Sequence, residues 1–262
     1  MKNLKLFNVE ESLHEIYNCD ECKASVKGYQ RFCHNCGAYL GNNAEEVSIF
    51  NNVHLRFAFL FYLLNLCVCI FAKSSGWFFS YDHLFWLEIV LALIAILFGR
   101  LNKKAVLPAL RFNNLNFFVL LAVIASSVLF AFVVNLFVHR LNISLFRNDI
   151  SYYNAYKVYN YPVLLMIYSI ALMPALFEEL AFRGVLYGYL NVFLDDRLVV
   201  ILTGFAFATI HLNFISLVWL IPFGIVLGAL RRRYDTIWYG VIFHFVFNLT
   251  ACLMDLYKHG VI

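Results

Sequence analysis

Phe177-Glu178-Glu179-Leu180-Ala181-Phe182-Arg183-Gly184 decides the fold, because it sets two carboxylates and a guanidinium at the end of the apolar run Tyr161 to Phe177. Ionisable groups at membrane depth cost about 2.5–3.5 kcal/mol each on insertion scales, so they are rare and point to function. Downstream, His211, His244 and Asn248 lie on segments that otherwise read as lipid-spanning. The result is a polar constellation in an apolar solvent.

The whole chain supports that reading of the solvent. Of its 262 residues 63% are hydrophobic, 18% aromatic and only 14% charged, against about 25% charged in soluble domains. Apolar stretches near 57–72, 84–99, 115–138, 161–183, 198–213, 214–230 and 237–256 approach the ~20 residues needed to cross a bilayer. The expected fold is therefore an all-α polytopic membrane protein with about seven transmembrane helices and a small N-terminal module.

That module occupies the first fifty residues, which carry charges throughout and show no cleavable signal peptide. Cys19-Asp20-Glu21-Cys22, a gap of ten residues, and Cys33-His34-Asn35-Cys36 give the two knuckles of a four-thiolate zinc ribbon. Thiolates two apart on a tight turn can face one tetrahedral ion, and Gly37 suits the second turn. A β-hairpin is expected in the stretch Lys23 to Phe32, and so small a module needs its metal to fold. Two disulfides are the competing reading, which requires an oxidising compartment. Cys67, Cys69 and Cys252 read as ordinary buried residues.

Residues 1–50 carry five Lys or Arg against seven Asp or Glu, a net of −2. A phosphate-binding face would need a basic patch, so nucleic acid is not expected as a ligand. The ribbon reads instead as a module for a protein partner. With a reduced, cytosolic ribbon, the loops holding Arg100, Lys103, Lys104 and Arg111 and holding Arg231, Arg232 and Arg233 both fall inside, as the positive-inside rule asks. The loop with Arg140, Arg147 and Lys157 against Asp149 falls outside, so the rule is met with one milder exception.

Glu179 and Arg183 are i and i+4 and share a helix face, whereas Glu178 points ~100° away. One carboxylate can be held by the arginine while the other is a general base in a low-dielectric cavity. Phe207-Ala208-Thr209-Ile210-His211 is the second element and His244-Phe245-Val246-Phe247-Asn248 the third. His244 and Asn248 are one turn apart, so an imidazole and an amide can enter one cavity, the amide as an oxyanion donor. Each has a duller reading: Glu179 with Arg183 as a structural pair, His211 as a hydrogen-bonded core histidine, Asn248 as interhelical glue. Glu88, in the second span, reads as an interhelical hydrogen-bonding group.

Together the three motifs resemble the CAAX-prenyl-protease and bacteriocin-processing family of intramembrane proteases (CPBP, also called ABI). Its marks are a double glutamate followed by arginine, Phe with His four residues on, and His with Asn or Asp four residues on. They stand here in that order, as Glu178-Glu179 with Arg183, Phe207 to His211, and His244 to Asn248, and the helix holding Gly224 and Gly228 before Arg231 to Tyr234 is also similar. The resemblance covers roughly residues 161–256.

It implies that Glu178 activates water, that Glu179 and Arg183 orient the site, and that His211, His244 and Asn248 complete it, with Phe207 as packing. Whether a metal takes part stays open: His211, His244 and Glu178 would suffice for a catalytic zinc with one open position, but no His-Glu-x-x-His helix is present. The implied organisation is a cytosolic zinc ribbon and linker in 1–50, N-terminal transmembrane helices in 51–160 and a catalytic transmembrane core in 161–262. The expected function is endopeptidase action near a membrane surface on a peptide or membrane-protein substrate. The competing readings are a non-proteolytic scaffold or bacteriocin-immunity-like protein of the same fold, and a transporter using the carboxylates as a proton relay; the latter is weakened by the absence of inverted repeats. A bacterial plasma membrane is the expected location.

One difficulty accompanies these expectations. If each span starts at the membrane surface, Glu178 lies near the inner face, His244 ~10 Å in and His211 ~20 Å in, at 1.5 Å per residue. A tilted or broken fifth span, or a water-filled cleft, is needed to bring them together.

Overall fold

The computed structural model describes residues 16–27, 30, 32–40, 52–76, 81–112, 115–146 and 151–262. The chain divides into two compact units, Met1–Arg56 and Phe57–Ile262; the boundary expected at residues 50 and 51 lies outside the described residues.

In the first unit β1 (Ile16–Asn18) pairs antiparallel with β2 (Ser25–Lys27), Tyr17 facing Val26. A hairpin is thus built around the first cysteine knuckle; the hairpin expected over Lys23 to Phe32 includes positions 28, 29 and 31, which lie outside the described residues. The reason is local: Cys19 N–H donates to Ala24 O and Lys23 N–H to Cys19 O, and Lys23 takes φ of 58°, so the metal-binding turn is itself the hairpin loop. The second knuckle repeats the device, with Cys33 N–H on Ala38 O and a bridge between Phe32 and Tyr39. Beyond Cys19 and Cys33, Val26 is the only buried apolar residue of its small cluster among the described residues, far short of a self-sufficient core.

The second unit is helical. In hydrocarbon every backbone N–H and C=O must be satisfied within its own segment, so apolar runs of this length become helices. They are α1 (Val53–Ser75), α2 (Tyr81–Leu101), a short α3 (Lys103–Ala109), α4 (Phe117–Phe146), a one-turn α5 (Tyr152–Tyr156), α6 (Pro162–Leu190), α7 (Asp196–Thr209), α8 (Leu217–Tyr234) and α9 (Trp238–Lys258). All seven expected apolar segments are helices. Among the described residues five of them, α1, α2, α4, α6 and α9, are long and apolar enough to cross a bilayer. Large apolar side chains such as Leu93, Leu97, Phe118 and Leu136 cover their outer faces, and the protein is a multi-pass membrane protein.

α7 and α8 form an antiparallel hairpin. Gly204 meets Gly224, Val200 meets Gly228 and Asp196 meets Arg232, so facing residues share one register. A Cβ on Gly224 would lie 2.8 Å from Gly204 O, so the two backbones touch where only hydrogen fits. α7 has 14 residues, about 21 Å of helix, and ends at an exposed turn. There Tyr62 hydroxyl bonds Thr209 Oγ1 at 2.7 Å and Lys73 Nζ donates to Leu212 O, pinning the turn to α1. Leu212 holds φ of 51° in that turn, a left-handed conformation that costs a β-carbon residue of order 1 kcal/mol and is found where function needs it.

α6 runs unbroken to Leu190, seven residues beyond the expected end at Arg183. It contains two wide π-type stretches, Ile167–Leu172 and Leu180–Leu186, a distortion that recurs at functional sites because it turns side chains and frees a carbonyl. α9 starts below the surface: Thr236 and Ile237 are buried, with Ile237 N–H on Ala109 O at 2.9 Å and Thr236 Oγ1 on Arg111 O at 2.9 Å. The central core is aromatic, with Phe61, Phe98, Phe182, Phe207, Phe223 and Tyr239 all buried.

Candidate active site

Glu179 and Arg183 sit on the inward face of α6 with no accessible surface. The Arg183 Nη1 donates to Glu179 Oε1 at 2.9 Å and its Nη2 to Gly224 O at 2.8 Å, while the guanidinium lies 4.7 Å over the Phe207 ring. A lone buried charge would be expelled or neutralised; here each carries partners of opposite sign or dipole. The close glycine packing of α7 on α8 brings Gly224 O within reach.

His244, on α9, faces the same carboxylate. Its Nδ1 lies 3.2 Å from Glu179 Oε1 and its Nε2 3.9 Å from Glu178 Oε2. A carboxylate held by arginine is an acceptor, which assigns the imidazole hydrogen to Nδ1 and leaves the Nε2 lone pair toward Glu178. Aromatic walls fix the ring, with Phe223 at 5.0 Å and Phe207 at 5.8 Å between centroids, both edge-on. Arg183, Glu179 and His244 form one relay ending at Glu178, whose side chain is 27% accessible while that of Glu179 is not accessible at all. Of the two adjacent glutamates, only the Glu178 side chain is partly exposed, and its Oε2 is buried against His244.

His211 lies at the exposed turn after α7. Its Nδ1 donates to Phe207 O at 2.9 Å, and its ring is 5.0 Å from that of Phe207. Phe207 is thus the common wall of Arg183, His211 and His244. Asn248 is one turn from His244 but turns to α6, where its Nδ2 donates to Ile170 O at 2.7 Å. That carbonyl belongs to the first π-type stretch, so the amide ties α9 to the distorted turn.

The depth problem disappears with these helices. Because α6 continues to Leu190, Glu178 lies ~18 Å from its end, close to the ~21 Å spanned by α7 before His211. His244 is ~9 Å into α9, and its contact with Glu179 brings it to the same cluster. Gly240, one turn before His244, was not flagged by its residue type: a Cβ there would fall 2.6 Å from Glu179 Oε2. Its i, i+4 spacing from His244 is the sequence signal that would have found it.

The four ribbon cysteines converge, all ligand atoms lying within 4.8 Å of one another. Cys19 and Cys36 Sγ are 3.7 Å apart and Cys22 and Cys33 Sγ 3.5 Å, close to the ~3.8 Å edge of a tetrahedron with metal–sulfur bonds of ~2.3 Å. Hydrogen bonds from the Asn35 side chain and the Ala24 amide pull the Cys22 thiol down, while the neighbouring thiols push that of Cys36 up. This cluster could hold a structural metal ion. Among the described residues no second group of His, Cys, Asp and Glu converges in that way; His211 and His244 engage Nδ1 with Phe207 O and Glu179, and Nε2 is the remaining ring nitrogen of each.

Fold and cluster together define a multi-pass helical membrane protein whose buried ion pair leads through His244 to a partly exposed glutamate side chain. Residues 160–250, just over a third of the chain, match the family model described as Rce1-like, Type II CAAX prenyl endopeptidase Rce1-like. That segment holds Glu178, Glu179, Arg183, His211, His244 and Asn248. Comparison with curated proteins and with solved structures returns no match.

Proposed function

We propose that the protein is an intramembrane endopeptidase in which Glu178 draws a proton from water for attack on a peptide carbonyl. The observation that carries this reading is the relay Arg183, Glu179, His244, with His244 Nε2 and Glu178 Oε2 3.9 Å apart. A water at ~2.8 Å from both atoms fits that separation.

As the water oxygen bonds to the carbonyl carbon, its proton passes to Glu178 and the carbonyl electron pair moves onto oxygen. His244 accepts the second water hydrogen at Nε2 and keeps the nucleophile oriented, while Glu179 and Arg183 hold the ring. The tetrahedral oxyanion is met by the second N–H of Asn248, the first being committed to Ile170 O. Collapse breaks the C–N bond, and Glu178 returns its proton to the leaving amine. His211, with Nδ1 occupied, offers Nε2 at the rim to the substrate or to water. No step requires a catalytic metal.

The substrate class is a peptide or membrane-protein segment reaching this depth: a prenylated C-terminus in a eukaryotic host, or a bacteriocin leader or membrane regulator in a bacterial one. The ribbon is read as a structural zinc site for a protein partner, and the preferred location is a bacterial plasma membrane with the N-terminus in the cytosol. The test is a comparison of membrane peptides in cells carrying the wild-type chain or Glu178→Ala. Substrates should accumulate uncut only in the variant; identical peptide sets at equal protein abundance would favour a non-proteolytic scaffold.

A further inference from the structure

At the joined ends of α7 and α8, away from the relay, Asp196, Arg197, Val200, Ile201, Ala229, Arg232 and Arg233 line a groove of about 720 Å³. Its floor is apolar and its rim carries three arginines and one aspartate, a net of 3 − 1 = +2. The three arginines are exposed. Arg232 approaches Asp196 at only 3.9 Å, and Arg233 lies loosely against the Tyr234 ring at 5.8 Å. Arg231 differs: it turns inward, with Nε on Arg183 O at 3.3 Å and Nη1 on Asp235 at 3.2 Å.

The chemistry of the rim selects an anion. Guanidinium groups in a cluster bind phosphate oxygens by paired hydrogen bonds, and a rim net of +2 is incompletely neutralised. The amide end of α7 is not the attraction, since the Asp195 carboxylate already accepts from Arg197 N–H at 2.9 Å. What lies beyond the groove selects a lipid. Ile201 belongs to the floor, and Phe205 and Val226, each about one turn further along its helix, continue from it as exposed apolar side chains. Arginines above an apolar stripe at a membrane surface match a phosphate with acyl chains below it.

We propose that this groove binds the phosphate of an anionic phospholipid whose chains lie along the exposed stripe of α7 and α8. The site is independent of the proposed peptidase chemistry. Because Arg231 links the same helix end to the backbone of Arg183, the bound lipid braces the hairpin that supports the relay.

The test is native mass spectrometry of the detergent-solubilised full chain, titrated with phosphatidylglycerol, phosphatidylcholine or inorganic phosphate. The wild type should retain phosphatidylglycerol over phosphatidylcholine by at least on the order of tenfold. The variant Arg197→Gln/Arg232→Gln/Arg233→Gln should lose that preference, and the corresponding triple Lys variant should keep most of it, which separates lost charge from misfolding. Removing three charges elsewhere, by Arg100→Gln/Lys103→Gln/Lys104→Gln, should leave it intact. Equal retention of the two lipids by the wild type, or equal losses in both Gln variants, overturns the proposal. Displacement of phosphatidylglycerol by millimolar phosphate would assign the groove to a free anion and overturn the lipid assignment.

Discussion

Glu179 and Arg183 are each fully buried and each depends on the other. Removing one partner of such a pair leaves an unpaired charge, which costs about 3–5 kcal/mol, whereas replacing both by apolar groups is close to neutral. Arg183→Met should therefore lower thermal stability sharply, and Glu179→Leu/Arg183→Met should recover much of it without recovering cleavage. Thermal unfolding in detergent measures the first and peptide cleavage the second; a double variant as unstable as the single one would contradict the pairing. The spacing of these residues makes their contact legible in the sequence, and the 100° offset of Glu178 separates the two carboxylates. The partner of Asn248 was not legible, because the carbonyl it meets is presented by a π-type turn with no residue signature. Gly240 escaped for another reason: its role is to lack an atom next to Glu179.

Seven apolar runs in the sequence correspond to helices, since run length and hydrocarbon leave the backbone few choices. What the runs did not reveal is where α6 ends and how α7 and α8 pair. A charge such as Arg183 ordinarily closes a span, but here Glu179 and Gly224 O satisfy it, so the helix continues. In the ribbon, cysteine spacing carries the metal-binding turn but not the strands beside it, β1 and β2. At the hairpin, the contact of Gly204 with Gly224 sets the position of the carbonyl that Arg183 uses. Gly224→Ala puts a Cβ 2.8 Å from Gly204 O, and the backbones must separate by several tenths of an ångström. Overpacking of this kind costs ~1–3 kcal/mol. The cleavage rate should fall by ~10-fold or more, while Gly228→Ala, whose Cβ would meet only Val200 at 3.2 Å or more, should be milder. Equal effects of the two would argue against a positional role for Gly224.

At the scale of the whole molecule, two units of different physics share one chain: a ribbon whose core is hardly more than four sulfurs, and a helical unit held by buried aromatics. The ribbon should lose its fold with its metal, and the helical unit should not. Purified protein is expected to contain about one zinc per chain, lost in Cys19→Ser/Cys22→Ser, while membrane insertion persists. Metal analysis checks this, and zinc unchanged by the double substitution would refute it. With the ribbon in the cytosol, a cysteine placed at Asp235 in a chain lacking the ribbon cysteines should react with an impermeant thiol reagent only after permeabilisation. The motifs of the sequence span roughly 161–256, and the family model matches 160–250. That the motifs meet depends on α6 continuing to Leu190 and on His244 reaching Glu179 across the helices, and that tertiary fact has no sequence counterpart.

The central claim is that Glu178 acts as the base. The most direct measurement is the cleavage rate of a peptide that accumulates in Glu178→Ala cells, followed with purified wild-type protein and Glu178→Gln in lipid vesicles. Glutamine keeps the shape and cannot take the proton, so the account predicts a fall of ~10²–10⁴ in rate with folding and peptide binding retained. A Glu178→Gln protein that cuts within about threefold of the wild-type rate would contradict it, since a general base contributes far more than that.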